Sequence, residues 1–151
     1  MSTNANTATV QLRSNTRGKR LGAVIAAVAA AVAGWILIEV FAGVDLRAPA
    51  FDARTGNQDI GLSAVILTSL VASLAAWGVL AVSERYVVRS RRIWTVLAVA
   101  GFVLSLGGPM SGTGIETSGR VLLVALHVIV AGVLIPLLYR TSATPPERTR
   151  Q

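Results

Sequence analysis

The chain has 151 residues, of which 53% are hydrophobic and 14% are charged, and its formal net charge is +7. A soluble domain carries about a quarter charged residues, so this chain has too few to cover a surface in contact with water. The basic residues lie in short clusters between long uncharged runs, which indicates a membrane protein rather than a nucleic-acid-binding one. The chain has no cysteine and one histidine, His127, which excludes disulfides, thiol catalysis and a metal or haem site built from several histidines of one chain. We expect no metal and no cofactor.

Residues 1–20 form a polar and basic segment that is rich in Ser, Thr, Asn and Gln. Such a composition offers little apolar surface to bury, so the sequence predicts a disordered tail. Its basic end carries Arg13, Arg17, Lys19 and Arg20, a charge cluster that suits anionic lipid headgroups.

Four apolar runs follow the tail. A membrane-spanning helix needs roughly 20 apolar residues, and backbone groups in lipid must be satisfied within the helix. The sequence therefore predicts spans at about 21–44, 60–82, 93–110 and 120–139, and Gly107, Gly108 and Pro109 are expected to end the third. The first run continues through Trp35 and exceeds the roughly 7–15 apolar residues of a signal peptide, so we expect it to be retained.

The connection 45–59 carries three aspartates, Asp45, Asp52 and Asp59. They lack the ligand spacing of an EF-hand, so a solvated loop with local ion pairs is expected rather than a calcium site. Asp59 precedes the second span and is a candidate for its N-terminal cap.

The distribution of basic residues predicts the orientation. The N-terminal segment, the second connection (Arg85, Arg89, Arg91, Arg92) and residues 141–151 are basic, whereas the third connection has only Arg120. The positive-inside rule then places both termini and the second connection in the cytoplasm. Residues 141–151 are expected to form a second disordered tail.

These observations predict an all-α integral membrane four-helix bundle over residues 21–140, in the bacterial plasma membrane. Rows of small residues favour close helix contacts, either within one bundle or between two copies. The rows are Ala26, Ala30 and Gly34 in the first span, Ser69 and Ser73 in the second, and Gly101 and Ser105 in the third. Aromatic residues near the cytoplasmic ends are expected at the headgroups, namely Tyr86, Trp94 and Tyr139.

Two ionisable residues lie inside the spans, Glu39 and His127. Counted from the outer ends, both fall in an outer-half layer that also contains Ser63 and Ser105. The functional interpretation is a proton-responsive or ligand-binding site that opens outward, because histidine changes protonation near neutral pH. The structural interpretations are a hydrogen bond that fixes helix packing, or a Glu39 side chain that reaches the outer headgroups.

Several local patterns occur together in a fixed order. They are Gly43-Val44-Asp45-Leu46, Ala76-Trp77-Gly78-Val79-Leu80 with Glu84-Arg85, Arg92-Ile93-Trp94-Thr95, Leu104-Ser105-Leu106-Gly107-Gly108-Pro109, Leu126-His127-Val128-Ile129 and Leu134-Ile135-Pro136. From residue 21 to residue 140 the chain resembles a family of small actinobacterial four-helix membrane proteins classed as a domain of unknown function. The resemblance implies a bacterial integral membrane protein and no particular activity.

Two functional hypotheses remain. The first is a non-enzymatic accessory or interaction protein, whose partners are the lipid bilayer and either a second copy or a larger membrane complex. The second is a small proton-coupled transporter that uses the outer-half polar site. A hydrolytic triad of Ser105, His127 and Glu39 has no accompanying catalytic signature, so we do not expect an enzyme.

Overall fold

The first helix is built by a long segment without proline. The structure is a computed structural model, and it describes residues 3–41, 47–49, 57–87, 90–111 and 117–142. Helix α1 covers Thr3–Ile36 and continues as a π-helical turn, Leu37–Phe41. Helix α1 thus includes nearly all of segment 1–20, for which the sequence predicts a disordered tail. Once the apolar part has nucleated a helix, each further residue adds a hydrogen bond at little cost, which accounts for the extension.

A short antiparallel hairpin follows, formed by β1 (Arg47–Pro49) and β2 (Asn57–Asp59). Its register places Arg47 opposite Asp59. The cap prediction for Asp59 is wrong, because Gly61 precedes the next helix and makes no side-chain cap. The aspartates Asp45 and Asp52 lie outside the described residues.

The remaining helices are α2 (Leu62–Tyr86), α3 (Ser90–Ser105), α4 (Gly107–Ser111) and α5 (Thr117–Thr141). A turn at Leu106 ends α3 just before Gly107. Gly107, Gly108 and Pro109, which are expected to end the third span, instead form the start of α4, and the apolar segment continues to Met110. Four segments are long and apolar enough to cross a membrane: Thr16–Glu39, Leu62–Tyr86, Ser90–Met110 and Thr117–Thr141. The prediction of four apolar helices is confirmed, and they indicate a multi-pass membrane protein. Residues 143–151 of the predicted C-terminal tail lie outside the described residues.

Helix α1 packs mainly against α5 and α2 through a stripe of small residues. The buried members are Ala23, Ala27, Ala31 and Gly34. Of the predicted row, Gly34 is confirmed, whereas Ala26 and Ala30 are only half-buried because the contact face is turned toward Ala27 and Ala31. A Cβ atom at Gly34 would lie 2.9 Å from Leu126 Cδ1, so glycine permits a close approach of α1 to α5 here.

The small-residue row of α2 is confirmed, since Ser69 and Ser73 are both buried. The row of α3 is not, because Gly101 and Ser105 are exposed. In α3 only Ser90 and Trp94 are buried, both near its start. Helix α3 therefore packs closely at its first turns and makes looser contact beyond them.

Trp94 belongs to the main apolar cluster of the bundle, together with Leu80, Leu134 and Leu138. It is 1% exposed, and its Nε1–H donates to the Ala76 carbonyl at 3.2 Å. The predicted headgroup position of Trp94 is wrong because α2 supplies the carbonyl that the buried indole needs. The exposed rings of Tyr86 and Tyr139 fit their predicted place at the surface.

Candidate functional site

Arg20 joins three helices at one end of the bundle, which we call the arginine end. Its Nη2 donates to Glu84 Oε1 at 2.6 Å and to the Thr141 carbonyl at 3.1 Å, and its Nε donates to Thr141 Oγ1 at 3.4 Å. Arg20 is 8% exposed. One guanidinium group thus fixes the positions of α1, α2 and α5 relative to one another.

Arg91 joins α3 to α5 at the same end. Its Nε donates to Ser142 Oγ at 2.9 Å, and its guanidinium carbon lies 4.5 Å from the centroid of the Tyr139 ring. Sequence reasoning treated Arg20 and Arg91 as orientation signals and missed their structural role. The signal that could have found it is Glu84, an acid among basic residues.

The contacts of Arg20 and Arg91 bring the four helices together at one level, from which depths along the helices can be compared. One residue of each helix lies fourteen residues from such a contact: Gly34 from Arg20, Leu70 from Glu84, Ser105 from Arg91 and His127 from Thr141. At 1.5 Å per residue this corresponds to roughly 21 Å from the arginine end. The contact between Gly34 and the side chains of Leu126 and Ile129 agrees with this level.

The structure brings two of the four candidate residues together. Ser105 and His127 line one cavity, and Glu39 and Ser63 are not among its lining residues. Glu39 lies on the π-helical turn, five residues beyond Gly34 and so roughly 7 Å beyond the level of His127. Ser63 is exposed in the first turn of α2.

The cavity has a volume of about 470 Å³ and lies between α2, α3 and α5, with Ala31 of α1 on its wall. It exists because α3 packs closely only as far as Trp94. Trp94, Val79 and Ile135 line it toward the arginine end, and Val65 and Leu123 line it toward the other end. Most of its lining is aliphatic.

Four polar side chains line the cavity: Thr68, Ser69, Ser105 and His127, which we call the polar layer. Each bonds to a carbonyl of its own helix, at 2.7 Å for Thr68 to Ala64, 2.6 Å for Ser69 to Val65, 2.7 Å for Ser105 to Phe102 and 2.8 Å for His127 to Leu123.

The protons of the polar layer are therefore already engaged. A carbonyl oxygen only accepts, so His127 Nδ1 carries the hydrogen and Nε2 of the neutral ring is an acceptor. Each hydroxyl has likewise donated its single hydrogen and keeps acceptor lone pairs. The polar layer can thus accept hydrogen bonds from a bound molecule without breaking its own.

Within the described part of the chain, no group of three or more His, Cys, Asp or Glu side chains is placed to hold a metal ion. One structural interpretation of the polar residues is a hydrogen bond that fixes helix packing. The bond from His127 to Leu123 lies within α5, so it orients the ring without joining two helices. The ion pair of Arg20 with Glu84 does join two helices through charge.

No curated protein and no solved structure matches the chain. The model of a family described as "Family of unknown function (DUF6069)" matches residues 11–144, which includes all four apolar helices. The expectation of an uncharacterised family is thereby confirmed. The chain belongs to the family of unknown function DUF6069.

Proposed function

We propose that the chain is a multi-pass protein of the bacterial plasma membrane, from an actinobacterium, and that it acts by binding, as a non-enzymatic accessory or interaction protein. Both termini lie in the cytoplasm in this proposal. The support for this orientation is the arginine end, where one acid, Glu84, lies among Arg17, Lys19, Arg20, Arg85, Arg91, Arg92 and Arg140 in the described part of the chain. Basic ends of this kind are retained on the cytoplasmic side.

The cavity between α2, α3 and α5 is the observation that carries the binding proposal. Ligand sites in proteins typically enclose about 300–1,000 Å³ and have mostly apolar walls with a few polar groups, and the cavity of about 470 Å³ fits this description. Proton transfer in catalysis needs an acid or base that a partner orients toward the substrate. His127 is the one ionisable side chain among the described lining residues, and no carboxylate lies beside it there, which favours binding over acid–base catalysis.

Photo-crosslinking from α3 tests the binding proposal. A diazirine amino acid replaces Leu97, which lines the cavity, and in the matched control it replaces Val96, an exposed neighbour that is not among the lining residues. We expect a discrete, saturable adduct from position 97 that position 96 does not give. The same broad lipid labelling from both positions would overturn the proposal.

A proton-coupled transporter is the second candidate function. The observation that favours it is that His127, an ionisable residue, lines the cavity near the middle of α5. Proteoliposomes with an entrapped pH dye, supplied with the lipophilic cation tetraphenylphosphonium, test it. Cation-dependent proton flux that His127→Gln abolishes would support a transporter, whereas no flux beyond protein-free vesicles would favour binding.

A further inference from the structure

We infer that the cavity binds an amphiphile with a single hydrocarbon chain and a head group that donates a hydrogen bond, such as a long-chain alcohol or a protonated fatty acid. This inference rests on the proposed function, in which the cavity is a binding site. Three properties of the cavity carry it: its length, the position of its polar layer and the hydrogen-bonding state of that layer.

The length of the cavity suits an extended hydrocarbon chain. Trp94 lies three residues from Arg91, and Val65 lies nineteen residues from Glu84, so the cavity extends over roughly 24 Å along the bundle. Its lining includes Leu97 and Gly101, which are exposed, so the cavity is open along one side of the bundle. An extended chain can therefore enter from the side and lie parallel to the helices.

The polar layer places the head group. Its four residues lie fourteen to sixteen residues from the arginine end, or roughly 21–24 Å. Between this layer and Trp94 the lining is small or aliphatic, with residues such as Ala72, Ala76, Leu97, Gly101 and Leu134. An amphiphile bound here has its head group at the polar layer and its hydrocarbon tail directed toward Trp94.

The hydrogen bonds of the polar layer select the head group. Ser69, Ser105 and His127 have each donated a hydrogen to a backbone carbonyl, so they offer acceptors to the cavity. A hydroxyl or a protonated carboxyl can donate to them, whereas an ether, an ester or a phosphodiester cannot.

The head group also accounts for a preference over bulk lipid. A hydrocarbon tail gains little by leaving the bilayer, because lipid tails are as apolar as the cavity walls. A hydrogen bond made within the apolar bundle is worth more than one made in water. A phospholipid that places an ester or a phosphodiester at the polar layer offers only acceptors there and is therefore disfavoured.

Quenching of Trp94 fluorescence tests both the ligand class and its orientation. The chain has three tryptophans, and Trp35→Phe with Trp77→Phe leaves Trp94 as the single emitter. We expect saturable quenching by hexadecanol brominated at its terminal carbons. Hexadecanol brominated next to the hydroxyl should compete for the site with little quenching. The methyl ether of the first probe should bind about tenfold more weakly, as expected for one lost hydrogen bond.

Two glycines provide matched variants for this experiment. A Cβ atom at Gly101 or at Gly78 would meet no atom within 4 Å, and only Gly101 is among the lining residues. We expect Gly101→Leu to abolish quenching and Gly78→Leu to preserve it. The double variant Ser105→Ala/His127→Phe removes two acceptors and is expected to lose the preference for the alcohol over the ether.

The outcomes separate this inference from the proposed function. Equal binding of alcohol and ether, or a protein adduct from position 97, overturns the amphiphile and leaves the binding protein standing. Loss of the position-specific adduct overturns the proposed function itself. Hexadecanoic acid and its methyl ester, compared in the same way, distinguish an acid from an alcohol. If the tryptophan variants do not fold, radiolabelled hexadecanol on the wild-type protein, with the ether as competitor, gives the same comparison.

Discussion

Arg20 on α1 and Glu84 on α2 form an ion pair of 2.6 Å within the bundle, and the same guanidinium also bonds the end of α5. Burial removes water from the Arg20 guanidinium, whose charge Glu84 compensates. The pair therefore sets the relative positions of three helix ends. Its removal has a measurable consequence.

Replacing Glu84 by glutamine leaves Arg20 buried without its counter-charge. We expect a loss of about 1.5–3 kcal/mol in the free energy of unfolding, the range for hydrogen bonds to charged groups. Thermal unfolding in mild detergent measures it. Arg17→Gln, at an exposed cation one turn earlier, is the control and should change little. The double variant Arg20→Gln/Glu84→Gln should recover part of the loss. Equal effects of Glu84→Gln and Arg17→Gln would contradict the assignment.

Ser73 is a second position with a definite expectation. It is fully buried in α2, and within the described residues its hydroxyl has no hydrogen-bond partner. Ser73→Ala removes an unsatisfied polar group and should raise the free energy of unfolding by about 1 kcal/mol. Ser69→Ala is the matched control. Both substitutions raise the helix propensity by the same amount, but Ser69→Ala also removes the hydrogen bond from Ser69 to the Val65 carbonyl. Chemical denaturation should rank Ser73→Ala above Ser69→Ala, and the reverse order would refute the prediction.

Gly34 tests the close approach of α1 to α5. Gly34→Ala brings its Cβ to Leu126 Cδ1, the end of a flexible side chain that can turn away, so we expect a small effect. Gly34→Leu overfills the contact and should cost about 1–3 kcal/mol. Gly22→Leu is the control, because a Cβ there meets no atom within 4 Å. Unfolding midpoints measure all three variants, and equal values for the two leucine variants would show that the contact does not limit packing.

The proposed orientation can be tested by labelling, because the chain has no cysteine. Gly61→Cys lies just before α2, at the end opposite the arginine end, and Arg92→Cys lies near the start of α3. A membrane-impermeant maleimide should label position 61 in intact cells and position 92 only after permeabilisation. The opposite pattern would reverse the orientation.

The sequence predicts the four helices well because hydrocarbon thickness sets the length of an apolar run directly. It does not predict which cation is buried, since Arg17, Lys19 and Arg20 are equivalent in charge. Only the helical phase distinguishes Arg20, which shares a face with Ala23 and Ala27. Trp94 is ambiguous for a similar reason, because an indole near a helix end suits either headgroups or a core carbonyl.

The cavity and its polar layer are harder to predict from the sequence than the helices are. The cavity results from the loose packing of α3 beyond Trp94, and small residues such as Ala98 and Gly101 are equally compatible with tight packing. The predicted depth of Glu39 depends on the outer ends of the helices, which the sequence does not define. Counting from Arg20 and Thr141 places Glu39 nineteen residues from the origin and His127 fourteen, which separates them.

The contacts of Arg20 and Arg91 at the arginine end make the position of the polar layer depend on the number of residues in each helix as well as on their identity. A single-residue insertion between His127 and Thr141 would move the imidazole by roughly 1.5 Å and rotate it by roughly 100° about the axis of α5, away from the cavity. The same insertion before Thr117 would leave the imidazole in place. Variation in length should therefore be tolerated in the connections and excluded from the fourteen-residue intervals that separate the arginine end from Ser105 and His127.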